Sequence, residues 1–212
     1  MAGTSNVPDV PVPSPPPVPR VGELDMGGTH VDLRARALVA AIVPPPRFGR
    51  EGEVLAGLAA AQAAGADLAD VSLEPRLVGP ASRRGALPVV ARVNDVAAAD
   101  AARDAGVALV LVAPELADQV AERGHPQAVV VDDVAGLEAA TRAAARHGLP
   151  VAIDTSRRAG ADALAQEAVA VSSGCRIVRT ADVRRARRVV EVVAALVEAR
   201  RADPGVAPVP PA

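Results

Sequence analysis

From about position 37 to position 201 the chain alternates short β-branched apolar runs with alanine-rich runs of helical period. The apolar runs are ALVAAIV (37–43), ADLADVSLE (66–74), PVVARV (88–93), ALVLVA (108–113), AVVVDD (128–133), PVAIDT (150–155) and RIVRT (176–180). Helical runs lie between most of them: EVLAGLAAAQAAG (53–65), VAAADAARDAG (96–106), ELADQVAERG (115–124), GLEAATRAAARHG (136–148) and ADALAQEAVAVSSG (161–174). The run 182–201 follows the last strand. Continuously apolar strands are buried on both faces, which calls for a parallel sheet covered by the intervening helices. The pattern predicts an α/β fold.

Gly65, Gly106, Gly124, Gly148 and Gly174 each stand directly before a strand, where a left-handed residue ends a helix and turns the chain back to the sheet. The unit recurs at about 20–25 residues, the period of a βα-barrel unit. A doubly wound open sheet shares this local grammar. No G-x-G-x-x-G follows the first strand, and polar residues collect at strand C-termini, so the reading is a TIM-type βα barrel. Seven such strand runs are recognisable, so about seven βα units are expected, a shortened barrel.

Proline-rich stretches, VPDVPVPSPPPVP near the start and PGVAPVPPA at the end, exclude helix and central strand. They predict disordered tails over 1–20 and 202–212 around one domain over 21–201. All basic residues are arginine, Phe48 is the single aromatic residue, and the net charge is -2, which argues against a nucleic-acid binder. No apolar segment reaches the roughly 18–20 residues of a membrane span, and no basic start precedes an apolar run, so a cytoplasmic protein is expected. Cys175 is the lone cysteine and reads as a buried structural thiol. His30, His125 and His147 have no metal-ligand spacing, so no metal site is predicted. The apolar stripe Val189, Val192, Val193, Leu196 and Val197 can cover the barrel and also a second copy, which predicts a homodimer or a complex with a related barrel.

The candidates for chemistry are Asn94 and Asp95, Asp132 and Asp133, Asp154 to Arg158, and Arg179 with Asp182. All fall at strand ends or just beyond, so on a barrel they converge on one face. Asp95, Asp182, Asp132 and Asp133 also suit helix N-caps, because a carboxylate accepts free backbone N–H groups. Arg157 and Arg158 are either solvated loop charges or anion contacts. Arg179 ends an apolar strand with a fork of donors suited to a phosphate or carboxylate.

Several of these segments carry a family resemblance. GCRIVRTADV is similar to G-A-x-I-V-R-V-H-D-V, PVAIDTSRR to P-V-L-V-G-x-S-R-K, GADLADVSLEPRLVGP to G-A-D-I-I-D-V-G-G-E-S-T-R-P-G, and VNDV to I-N-D-V. Keeping the family's order along the chain from about Leu24 to Val193, the sequence resembles the dihydropteroate synthases, pterin-binding barrels of folate biosynthesis that join a pterin methyl pyrophosphate to p-aminobenzoate. The resemblance implies that Asn94, Asp132 and Arg158 contact the pterin and that Ser156, Arg157 and Arg179 hold the phosphates. The family's magnesium-binding asparagine is Pro44 here, and its phosphate-binding histidine is Ala181. The first loop has become PPRFGREG, and of the family's next loop Glu74 and a displaced Arg76 remain. These losses imply a degenerate homologue whose synthase activity is weak or lost. Two alternatives stay open: a non-catalytic scaffold or regulatory partner of a true synthase, or a divergent barrel enzyme acting on another phosphorylated substrate.

Overall fold

Strands β3 (Leu38–Ile42), β4 (Leu68–Asp70), β5 (Val89–Val93), β6 (Leu109–Val112), β7 (Gln127–Val131), β8 (Val151–Asp154) and β9 (Ile177–Thr180) form a closed, all-parallel barrel. The computed structural model describes residues 22–26, 29–45, 50–71 and 75–202; of the tails expected over 1–20 and 202–212, Ala202 ends a helix and the rest lies outside the described residues. Each strand pairs with the next, and β9 returns to β3 with Leu38 opposite Ile177 and Ala40 opposite Arg179. The shortened barrel read from the sequence is therefore the fold.

Helices alternate with the strands: α1 (Glu51–Ala63), α2 (Pro75–Arg84), α3 (Val96–Asp104), α4 (Ala117–Glu122), α5 (Leu137–His147), α6 (Gly160–Ser172) and α7 (Val183–Ala202). Only α2 was absent from the sequence reading. Its sequence PRLVGPASRR carries Pro75 at the first position, where a missing N–H costs nothing, but also an internal Pro80, and it lacks the alanine runs of its neighbours. Among the described residues this single helix links β4 to β5. The predicted glycine stops hold; at Gly148, which ends α5, φ is 64° and the amide bonds back to the Ala144 carbonyl.

Two apolar layers hold the barrel. Alternate strand residues point inward, among them Leu38, Leu68, Val90, Leu109, Leu111, Val130 and Ile177, and an antiparallel hairpin of β1 (Glu23–Met26) and β2 (Thr29–Asp32) closes the N-terminal end below them. Leu24 and Met26 of the hairpin are buried against these residues, each contributing on the order of 2 kcal/mol by removal from water. Outward residues such as Val39, Val89, Val110, Val129 and Val178 pack under the helices with Leu58, Leu137 and Val190. Cys175 lies in this outer layer, where burial pushes its thiol up to about 12. It is inert as a nucleophile at neutral pH.

At the N-terminal end Asp67 accepts from both terminal nitrogens of Arg36 (2.8 and 2.9 Å), from the Val39 amide (2.9 Å) and from Arg187 of α7. Burial alone would raise this carboxyl; its bonds from Arg36, Val39 and Arg187 outweigh that and hold it below the ordinary range. Among the described residues no helix is long and apolar enough to cross a membrane.

Candidate functional site

At the C-terminal end of the barrel the inward positions change from apolar to charged. Two residues beyond the inner Leu68, Val90, Ala152 and Ile177 stand Asp70, Arg92, Asp154 and Arg179. Period-two alternation aims all four at the barrel axis. Arg179 donates from Nε to Asp70 and from a terminal nitrogen to Asp154 Oδ2 and to the Ser156 hydroxyl (3.2 Å). Arg92 donates to the same Asp154 oxygen at 2.8 Å and grips Asp132 with both terminal nitrogens, at 2.5 and 3.1 Å. The Ser156 amide takes the other Asp154 oxygen at 2.9 Å. One network thus runs Asp70, Arg179, Asp154, Arg92, Asp132 across the mouth.

The electrostatics follow the burial of each member. Asp70 is almost fully enclosed, and burial pushes its carboxyl above the ordinary range although Arg179 beside it pulls the other way. Asp132 is mostly exposed, and the Arg92 hydrogen bond holds its carboxyl low. The same bond keeps Arg92 firmly charged.

Above the network opens a cleft of about 500 Å³, lined by Ile42, Arg92, Asn94, Asp154, Ser156, Arg157, Arg179 and Ala181. The sequence-predicted Asn94, Ser156, Arg157 and Arg179 therefore do meet. Arg157 is exposed and makes no ion pair among the described residues. Asp132 lies to one side, in a smaller hollow with Asp154, Arg157, Arg158 and Asp162. Arg158 binds Asp162 of α6 at 2.9 Å, lies 3.9 Å from Asp133 and donates to the Asp132 carbonyl oxygen at 3.4 Å. Asp95 and Asp133 accept from the Ala98 and Gly136 amides, and Asp182 from the Arg185 amide, so these three cap the following helical turns. Asp132 does not; it faces Arg92.

Two members of the network, Asp70 and Arg92, escaped sequence reasoning because each sits inside an apolar run. The signal was their spacing, two residues after an inward apolar residue in a strand ending at the mouth. Behind the loop after β8, the fully buried Glu167 of α6 accepts from the Thr155 hydroxyl (2.8 Å) and from Arg185, which also reaches Thr180 (3.2 Å). This set ties the loops carrying Ser156, Arg157 and Ala181 to α6 and α7.

The residues at the first strand end do not fit a hard cation: Pro44 and Pro45 are exposed and offer no side-chain oxygen. Among the described residues no group of three or more His, Cys, Asp or Glu could hold a metal ion.

No family model matches the sequence, and no curated protein matches it. Solved structures do match in fold. A Yersinia pestis dihydropteroate synthase solved with a pterin–sulfa conjugate superposes with a TM-score of 0.64 at 15% identity, covering 84% of this chain and 99% of that one. The Stenotrophomonas maltophilia enzyme with imidazole bound in its active site gives 0.60 at 20% identity, covering 82% and 98%. That of Vibrio fischeri gives 0.60 at 14%, covering 83% and 98%. At such identities the likeness speaks for architecture: this chain has the barrel fold of the dihydropteroate synthases, with seven strands in its ring.

Proposed function

We propose that this protein is a dihydropteroate synthase-like barrel of folate metabolism that binds a pterin pyrophosphate or a similar phosphorylated ligand at its mouth and has weak synthase activity or none. The observation that carries this reading is the convergence of Asn94, Ser156, Arg157 and Arg179 on one cleft at the C-terminal end of the barrel. Arginine forks and a serine hydroxyl suit phosphate oxygens. In this reading Asn94 and Arg158 lie on the heterocycle's side of the mouth, and Asp132, which the resemblance also assigns to the ring, is taken by Arg92.

Weak or lost catalysis rests on the same mouth. A departing pyrophosphate needs its developing charge stabilised, and each well-placed contact supplies on the order of 3 kcal/mol. Here Pro44 and Ala181 offer no such contact, and Arg179 is divided between Asp70 and Asp154. These features also favour a second reading, a non-catalytic scaffold or regulatory partner of a true synthase. A cytoplasmic homodimer joined through α6 and α7 belongs to the proposal in either case.

Calorimetric titration with hydroxymethyl-dihydropterin pyrophosphate, with and without magnesium, tests it. Binding without formation of dihydropteroate when p-aminobenzoate is added is the expected result. No heat and no thermal shift would refute ligand binding and leave the scaffold. Arg179→Ala is expected to weaken the pyrophosphate ligand about 10- to 100-fold, the worth of one or two charge-assisted hydrogen bonds; unchanged affinity would remove Arg179 from the site.

A further inference from the structure

The three carboxylates of the mouth are all taken by the protein's own donors. Asp70 accepts from Arg179, and Asp154 from Arg179, Arg92 and the Ser156 amide. Asp132 has one oxygen on each terminal nitrogen of Arg92. What remains facing the cleft is a surplus of donors: the Arg157 guanidinium, the Asn94 amide and the Ser156 hydroxyl, with Arg92 and Arg179 forming the floor. A ligand that presents an oxyanion meets partners there. A ligand that presents an amidine-like pair of N–H donors, such as the edge of an aminopyrimidinone ring, needs a carboxylate that accepts both, and Arg92 already fills that role at Asp132.

We infer that Arg92 is the specificity-determining residue of the mouth: it occupies Asp132 in place of a heterocycle's donor edge, so that the site reads the phosphorylated end of a ligand and excludes its ring from the carboxylate. This rests on the proposed pterin-type site and deepens it by naming which part of the ligand is held. Arg92 is suited to the role by its reach. It stands on β5, touches β8 at Asp154 and grips the residue just beyond β7 at Asp132. Its removal is tolerable to the fold, because Asp154 keeps Arg179 and the Asp132 side chain is 59% exposed to water.

The test compares two probes, inorganic pyrophosphate and unphosphorylated 6-hydroxymethylpterin, by titration against the wild-type chain, Arg92→Leu and Arg92→Gln. The wild type is expected to bind pyrophosphate and to take hydroxymethylpterin weakly. In both variants the affinities should move in opposite directions, hydroxymethylpterin tightening at least about tenfold as Asp132 is released and pyrophosphate weakening as one cation is lost. A variant that merely loses structure would lose both ligands, so opposite movement cannot come from misfolding, and the glutamine variant keeps a polar side chain if leucine disturbs the barrel. Hydroxymethylpterin binding to the wild type as tightly as to the variants would overturn the role of Arg92 and leave the pterin site standing. Failure of the wild type to bind either probe would overturn the pterin site, and this inference with it.

Discussion

Asp67 and Asp132 show how differently one residue type is used at the two ends of the barrel. Asp67, with its side chain 18% exposed, is held by two arginines and an amide; Asp132 is open to water and held by Arg92 alone. A carboxyl whose folded value lies below its ordinary 3.8 adds stability at every pH above that value, and the contribution is lost as pH falls through the folded value. Asp67→Asn is therefore expected to cost about 2–3 kcal/mol at neutral pH, and its loss of stability below about pH 3.8 should be shallower than the wild type's. Urea melts at pH 7 and at pH 3 measure both. Residues also mark what the sequence could reveal. Asn94, Ser156, Arg157 and Arg179 were legible because each follows an apolar run, and a strand end is a fixed place on a parallel barrel. Asp70 and Arg92 were not, because their role depends on which strands lie across the axis. Neighbouring Arg157 and Arg158 look equivalent in sequence, yet the turn between Thr155 and Arg158 sends one into the cleft and the other to α6.

Among the elements, the barrel strands and the alanine-rich helices followed from period and glycine placement, whereas α2 did not. A helix with internal glycine and proline is stabilised by its surroundings, and its close packing on α1 is visible at Gly85, just past its end. A Cβ there would lie 2.3 Å from the Ala81 carbonyl oxygen and 2.8 Å from the Leu58 side chain. At Gly148 a Cβ meets nothing, and only the left-handed backbone, φ 64°, opposes it. Gly148→Ala should cost about 1 kcal/mol, the strain of that conformation, and Gly85→Ala roughly 2–3 kcal/mol, because the chain must move off the Ala81 carbonyl at the end of α2 as well as off Leu58 of α1. Thermal melts of the two variants give the comparison; equal costs would mean that the end of α2 yields freely.

For the whole molecule, a ring of seven strands is narrower than one of eight, since barrel diameter grows with strand number. This accounts for guanidiniums from β5 and β9 meeting on one Asp154 oxygen, and it makes a charged plug of what a wider mouth would leave open. The outer surface carries Leu164 and Val169 on α6 with Val192 and Leu196 on α7, each about half exposed. Val192 and Leu196 are one turn apart, and Leu164 shares a hollow with Arg188 and Val189 just before them. Such a patch fits a two-fold interface between copies. Leu196→Glu is expected to shift the chain from dimer to monomer in sedimentation velocity while leaving its circular dichroism unchanged; a wild type that already sediments as a monomer would refute the assembly.

Closure by β3 on β9 joins the ring's first strand to its last. During synthesis the growing sheet therefore carries two unpaired edges, at β3 and at the newest strand, until Ile177–Thr180 leaves the ribosome and α7 folds over the seam. Each shorter intermediate offers backbone donors and acceptors to any other chain in reach. Protection from strand-to-strand aggregation is thus acquired in one late event, and it belongs to the complete ring and to none of its nascent fragments.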